Sequence, residues 1–210
     1  MKNFSPKNTV KAVGFEDGFF PPKLKEVRGQ QTVLAAVLTE NITPKSAVLN
    51  LIEIDGLDAT EKALATIQTL NIKYSVNIVL LGGITYAGFN IIDPVEIFET
   101  FNIPVIVVTD EEPSDEDVKR ALKKHFIDWK ERFSIFKKFR KLAKIHRIRK
   151  DKGKLYIQPL GISCVEAENL VLKLILKGKY PEPLRLAKSI ASSLAKLIFS
   201  NYRYLKGKYL

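Results

Sequence analysis

A mixed α/β sheet flanked by helices is the architecture expected of this chain, on three grounds. Residues 79–81 and 105–108 are uninterrupted apolar runs of strand length, as expected when helices cover both faces of a strand. Between them lie a glycine-bearing turn (Gly82, Gly83, Gly88) and a short helical segment, which makes a strand–helix–strand unit with at least one parallel pair. Upstream, three strand-like segments follow one another with only short connections, the pattern of an antiparallel meander.

In order, residues 9–16 (TVKAVGFE) alternate apolar and polar as a first strand, and Pro21 and Pro22 close that region because proline cannot continue a central ladder. TVLAAVLTE (32–40) and SAVLNLIEI (46–54) are the next two strands, with Pro44 in the loop between them. Residues 58–70 form an amphipathic helix with Ala63, Leu64, Ile67 and Leu70 on its apolar face. Asp58 is its expected N-cap, with Glu61 at the capping-box offset. After the acidic stretch 110–117, Pro113 and Ser114 open a helix to Lys124, and Asp128 opens another that runs into a basic segment. Residues 142–162 read as a hairpin turning at Asp151, Lys152 and Gly153. Helices near 163–177 and 183–200 finish the chain, the second opened by Pro181 and Pro183.

At 210 residues the chain holds one sizeable core, and residues 1–210 are expected to form a single domain with a basic hairpin insertion near 137–160. No apolar run has membrane-spanning length and the N-terminus is polar, so a soluble cytoplasmic protein with no membrane partner is expected. The single cysteine, Cys164, excludes an intrachain disulfide and is expected as a buried thiol rather than a nucleophile. His125 and His146 are isolated and have no zinc-ligand spacing. Few Met and Cys among many Lys and Ile follow the trend of thermophile proteins.

The net charge of +11 is concentrated: residues 137–154 carry ten Lys or Arg against one Asp. Such a segment is either a phosphate-backbone footprint for RNA or DNA, with Arg147, Arg149, Lys150 and Lys152 as contacts, or a solvated lysine-rich surface. In parallel sheets the ligand site lies beyond the carboxyl ends of the strands. Residues 82–90 therefore line the expected cleft, with Gly82 and Gly83 in its turn and Tyr86 and Asn90 available to a base; burial in the core is the competing role for Phe89.

The order of elements is that of the ribonuclease-H-like fold. Four segments carry a closer likeness: GFEDGFF (14–20), EIDGLDATEKAL (53–64), LLGGITYAGFN (80–90) and YPEPLRLAKSIA (180–191). They resemble an archaeal family known as "domain of unknown function 99", which is similar to endonuclease V. The resemblance implies phosphodiester cleavage near deaminated purines by Mg²⁺ or Mn²⁺ held on carboxylates, since such ions need hard oxygen ligands. It places Glu16, with Asp17 beside it, on the nuclease's first-strand aspartate, and Asp58 on the glutamate opening its first helix. Glu16, Asp17 and Asp58 are the implied metal ligands, and with Lys188 the implied catalytic group.

The match departs elsewhere. Gly82 stands at the central-strand aspartate, Asp110 at a lysine and Lys188 at a histidine, and the strand-parting wedge has no counterpart near residues 40–50. Each acid has a plainer role as well. Asp58 and Asp93 fit helix caps, Asp17 and Asp55 fit turns, Glu182 and Arg185 fit a structural ion pair, and Lys188 fits a surface lysine. Three functions follow. The first is an endonuclease-V-like nucleic-acid binder with weak or lost metal-dependent hydrolysis. The alternatives are an active Mg²⁺-dependent endonuclease on inosine-containing or structured RNA or DNA, or a non-enzymatic oligomer using Tyr202, Tyr204 and Tyr209.

Overall fold

The computed structural model describes residues 9–27, 29–112, 114–150 and 153–206. A seven-stranded sheet in the order β3-β2-β1-β4-β7-β9-β8 organises the chain. Strands β1 (Lys11–Asp17), β2 (Gln31–Glu40) and β3 (Thr43–Glu53) form the antiparallel meander. Strands β4 (Ile78–Leu81) and β7 (Val105–Thr109) add to β1 in parallel, joined through helix α2 (Pro94–Phe101). The mixed α/β, ribonuclease-H-like sheet inferred from the element order is the one found.

Both faces are buried, as the apolar runs require. Helix α1 (Ala59–Tyr74), α2 and helices α3 (Asp115–His125) and α4 (Trp129–Leu142) cover one face, over Val13, Phe15, Leu34, Leu81 and Val107. Helices α5 (Cys164–Lys173) and α6 (Glu182–Lys206) cover the other, over Ala12, Ile78, Leu80 and Ile106 and over Val33, Ala35 and Val37. Neighbouring residues of one strand thus serve different helix layers.

Several details differ from expectation. Pro44 lies inside β3, paired with Thr39 beside a register shift, which an edge strand tolerates because one side of its backbone needs no partner. The basic hairpin, β8 (His146–Lys150) and β9 (Gly153–Leu160), is no appended insertion: β9 pairs with β7 and widens the main sheet. Cys164 is half-buried at the start of α5. Asp58 precedes α1 without capping it, whereas Asp93 accepts from Val95 N and Glu96 N as expected of a cap. A small hairpin, β5 (Thr85–Tyr86) and β6 (Asn90–Ile91), was not anticipated. Pro113, the turn at Asp151 and Lys152, and Tyr209 lie outside the described residues, as do the side chains of Arg149, Lys150, Tyr202 and Tyr204. Among the described residues no helix is long and apolar enough to cross a membrane.

Candidate functional site

At the carboxyl end of β1 the backbone alternation sends Glu16 toward the α6 face and Asp17 toward the opposite one. Helix α6 lies hard against this strand because small residues face each other. A β-carbon at Gly14 would strike the Pro183 backbone, and one at Gly18 would strike Ala191 and Ala195. Ala187, Ala191 and Ala195, at four-residue spacing, are fully buried along the contact. That approach brings Lys188 over the strand end. Its Nζ lies 3.2 Å from both Asp17 Oδ1 and the Asp17 carbonyl oxygen, and 3.5 Å from Glu16 Oε2.

The cluster is electrostatically unusual. Burial pushes the Glu16 carboxyl up from 4.5 to about 7, with Asp17 adding to the rise and Lys188 opposing it. For Lys188 burial acts downward, but the Asp17 and Glu16 carboxylates outweigh it and hold the ammonium above its ordinary value. Nearby, Lys179 donates to Asp110 at 2.8 Å, and this hydrogen bond holds Asp110 below the usual carboxylate range. Burial, then the Asp110 contact, raises the Tyr180 phenol.

Gly82, where the resemblance implies a missing acid, sits directly against this cluster. A β-carbon there would collide with the Glu16 carboxylate, so the longer glutamate arm occupies the room a side chain at 82 would need. The residues present do not fit a three-carboxylate Mg²⁺ or Mn²⁺ centre. Two acids share an ammonium, and no group of three or more His, Cys, Asp or Glu among the described residues could hold an ion. His146 instead pairs with Glu168 at 2.7 Å.

The expected gathering of Glu16, Asp17 and Asp58 is therefore corrected: the structure joins Glu16, Asp17 and Lys188. Asp58 Oδ1 accepts from Glu53 N at 3.1 Å and from Asn90 Nδ2 at 2.6 Å. Asn90, fully buried, also donates to the Glu53 carbonyl and accepts from Ala59 N, doing the capping expected of Asp58. Tyr86 is buried too, its hydroxyl donating to the Phe15 carbonyl. Neither Tyr86 nor Asn90 is exposed to a base, which corrects their expected placement in a nucleic-acid contact. The turn they flank has left-handed backbone at both Ala87 and Gly88, the geometry of a tight hairpin turn. Asp17 Oδ2 accepts from Ala87 N at 2.6 Å, and Asp55 Oδ1 accepts from Phe89 N at 2.8 Å. Arg132 donates to the carbonyls of Asp55 and Phe89, tying the turn to α4.

A cavity of about 600 Å³ opens over the cluster, lined by Glu16, Gly82 and one face of α6. Beyond Lys188 that face presents Ser192, Ser193 and Lys196, at three- to four-residue spacing. The Ser192 and Ser193 hydroxyls make no hydrogen bond, and Lys196 no ion pair, among the described residues. Glu182 and Arg185 form the bidentate pair expected of them, at 2.7 and 2.8 Å. Carboxylate, ammonium and hydroxyl groups at the end of parallel strands can together hold an anion and accept a proton from water.

A family model described as Endonuclease dU matches residues 8–195. The chain belongs to the endonuclease dU family. A UPF0215 protein of Thermococcus sibiricus is 37% identical over 188 residues, 90% of this chain and 93% of the relative. A protein of unknown function from Archaeoglobus fulgidus superposes with TM-score 0.75 at 28% identity, over 88% of this chain and 98% of that one. Endonuclease V of Ciona intestinalis, solved with a 24mer DNA containing an inosine followed by a ribo-adenosine, superposes with TM-score 0.61 at 16% identity, over 93% and 90% of the two chains. At that identity it is the fold that is shared, as the likeness to endonuclease V led us to expect.

In this chain the basic hairpin stands at the same end of the sheet as the cluster. Pairing runs from Phe15 through Leu81 and Val107, and two residues further on from Thr109 through Tyr156 to Arg147. Arg147 is thus exposed on the row of Asp17, four strand spacings or roughly 19 Å away. Arg149 and Lys150 continue β8 beyond it. The α6 track of Ser192, Ser193 and Lys196 was legible as a polar helix face in AKSIASSLAKL, but nothing local tied that face to Glu16.

Proposed function

We propose that this chain binds DNA with a phosphodiester at the Glu16–Asp17–Lys188 cluster and cleaves it slowly, deoxyuridine-containing DNA being the substrate class its family description suggests. The observation that carries the reading is the Lys188 ammonium held between two carboxylates at the mouth of a cavity lined by α6 serines and lysines. Lys188, Ser192, Ser193 and Lys196 supply positive charge and hydroxyl donors for phosphate oxygens. Arg147 and the hairpin after it extend the track, over a span of roughly six base-pair rises of a duplex.

The chemistry assigns one role to each group. A water oxygen bonds to phosphorus and the ester P–O bond on the far side breaks. The water proton passes to Glu16, whose pKa of about 7 suits a proton acceptor at neutral pH. Lys188 opposes the negative charge that develops on the phosphoryl oxygens, and the leaving oxygen takes its proton from solvent. Asp17 acts through Lys188, as a positioning residue. One ammonium opposes less charge than a divalent centre would, so the turnover is slow.

The test is scission of end-labelled DNA, with and without a single deoxyuridine, in chelator, Mg²⁺ or Mn²⁺. Slow cleavage of the deoxyuridine strand that persists in chelator and disappears in Glu16→Gln and Lys188→Ala is the expected result. Binding without cleavage would reduce the protein to a binding module, and cleavage confined to Mg²⁺ or Mn²⁺ would replace this mechanism with a metal-centred one.

A further inference from the structure

We propose that the open edge of the sheet, strand β3, pairs antiparallel with β3 of a second copy of this chain, about a two-fold axis at Leu49. Such a contact goes beyond the phosphate reading and does not depend on it. Strand β3 is 11 residues long and outermost in the meander, with β2 as its neighbour on one side. The direction of its free backbone groups follows from its last residues. Ile54 N donates inward, to the Gln30 carbonyl. Glu53 N turns the other way, to Asp58 Oδ1, and the Glu53 carbonyl accepts from Gly56 N. The register is unbroken from Ser46 to Glu53, so odd-numbered residues point their N–H and C=O groups off the sheet. Those of Ala47, Leu49 and Leu51 thus stand along the edge as a template for another strand.

The side chains of the same residues are apolar and uncovered. Val48, Asn50 and Ile52 turn to the α1 face, where Ile52 is buried and Asn50 donates to Thr66 Oγ1 at 2.9 Å. Ala47, Leu49 and Leu51 lie on the opposite face, paired with Val37, Ala35 and Val33 of β2. Helix α6 covers those three β2 residues but stops short of the leucines, which are each 49% exposed. The flank of α6 turned away from Lys188 carries Leu186, Ile190 and Leu197 beside this stripe, and Leu197 is 60% exposed. In a two-fold pairing both copies of α6 lie on one face of the joined sheet and close over the four leucines of the two β3 strands.

Charge selects the occupant and the register. Lys45 and Glu53 stand four residues to either side of Leu49. With the axis at Leu49, that residue meets its own copy, Ala47 meets Leu51, and Lys45 meets Glu53 at both ends. The stripe is therefore complementary to itself. Opposite charges directly across two strands are favourable and like charges are not, and a slip of two residues would set Lys45 against Leu51. Glu53 has no ion pair among the described residues, its Oε1 accepting from Gly29 N at 3.1 Å. Lys45 pairs with Glu40 at 3.0 Å, an exposed contact that costs little to exchange. Pro44 and the register shift beside it fall at one end of β3 and leave 46–53 regular. The Lys188 cluster, on the other flank of α6, stays open in the pair.

Sedimentation equilibrium on the full chain tests this. The native protein should form a dimer with a dissociation constant of about micromolar or tighter. Leu49→Glu sets two like charges face to face on the axis and should weaken the dimer at least about tenfold, with the thermal midpoint of the monomer unchanged. Lys45→Glu and Glu53→Lys each oppose like charges at both ends and should each weaken self-association about tenfold. Mixed together, these two variants should associate about as tightly as the native chain, because acid again faces base at each end. A native chain that stays monomeric at about 100 μM would overturn the proposal and leave the edge to a different protein. A dimer untouched by Leu49→Glu would place the contact elsewhere, and mixed variants that fail to associate would refute the antiparallel register; either result overturns the proposal.

Discussion

The carboxylate of Glu16 fills the volume that a side chain at Gly82 would occupy. The two positions lie at the ends of adjacent parallel strands, paired through Phe15 and Leu81, so one strand can place its acid only where the other leaves room. Gly82 is thus a steric condition on where Glu16 points, and through Glu16 on where Lys188 rests.

Coupled volumes give a coupled stability effect. Gly82→Asp alone should cost about 1–3 kcal/mol, because an inserted side chain must displace a partly buried carboxylate. Shortening the other arm as well, in Glu16→Asp/Gly82→Asp, should recover at least about 1 kcal/mol of that cost. Urea denaturation of the four members of this double-mutant cycle measures the interaction; strictly additive costs would refute the shared volume.

The raised pKa of Glu16 predicts how stability varies with pH. Because the folded protein holds this proton up to about pH 7 and a free glutamate loses it near 4.5, the folded state binds more protons in that window. Stability from this group is therefore fully present below 4.5 and lost as pH rises through about 7. A shift of this size corresponds to about 3 kcal/mol. Glu16→Gln should remove the slope and be the more stable protein at pH 8, in parallel urea titrations at pH 5 and 8. An identical pH slope in both proteins would contradict the burial of this carboxyl.

The sheet was legible because continuous apolar runs at 79–81 and 105–108 allow little besides buried strands. The hairpin at 85–91 was not, since its strands have two residues each and its turn is held by distant side chains, Asp17 and Asp55. Asp58 followed by Glu61 has the spacing of a cap, and only the arrival of Asn90 from 31 residues along the chain takes the capping away from it. The cluster was half legible. Glu16, Asp17 and Lys188 stood out by resemblance, but the α6 face of Ser192, Ser193 and Lys196 joins them only because small residues let α6 lie against β1, and no local pattern announces such a meeting.

Asn90 is the buried hub of its hairpin, and Asp58 serves it. Asn90→Ala strands Ala59 N, the Glu53 carbonyl and the Asp58 carboxylate, and should cost about 3 kcal/mol of unfolding free energy. Asp58→Asn keeps an acceptor for Glu53 N and Asn90, so it should cost less than about 1 kcal/mol and leave DNA scission intact. Loss of scission in a stably folded Asp58→Asn protein would return Asp58 to the chemistry.

Salt dependence separates the α6 track from the hairpin. For a single strand, log K should fall with log[salt] by about 0.7 for each phosphate engaged. Lys196→Ala and Arg147→Ala should therefore each flatten the slope by about that amount. Their effects should add, because the two residues come from opposite sides of the cluster, Lys196 on α6 against β1 and Arg147 on the far edge strand. An unchanged slope in Arg147→Ala beside a flattened one in Lys196→Ala would confine the strand to α6. The hairpin would then keep only its two strands' part in widening the sheet.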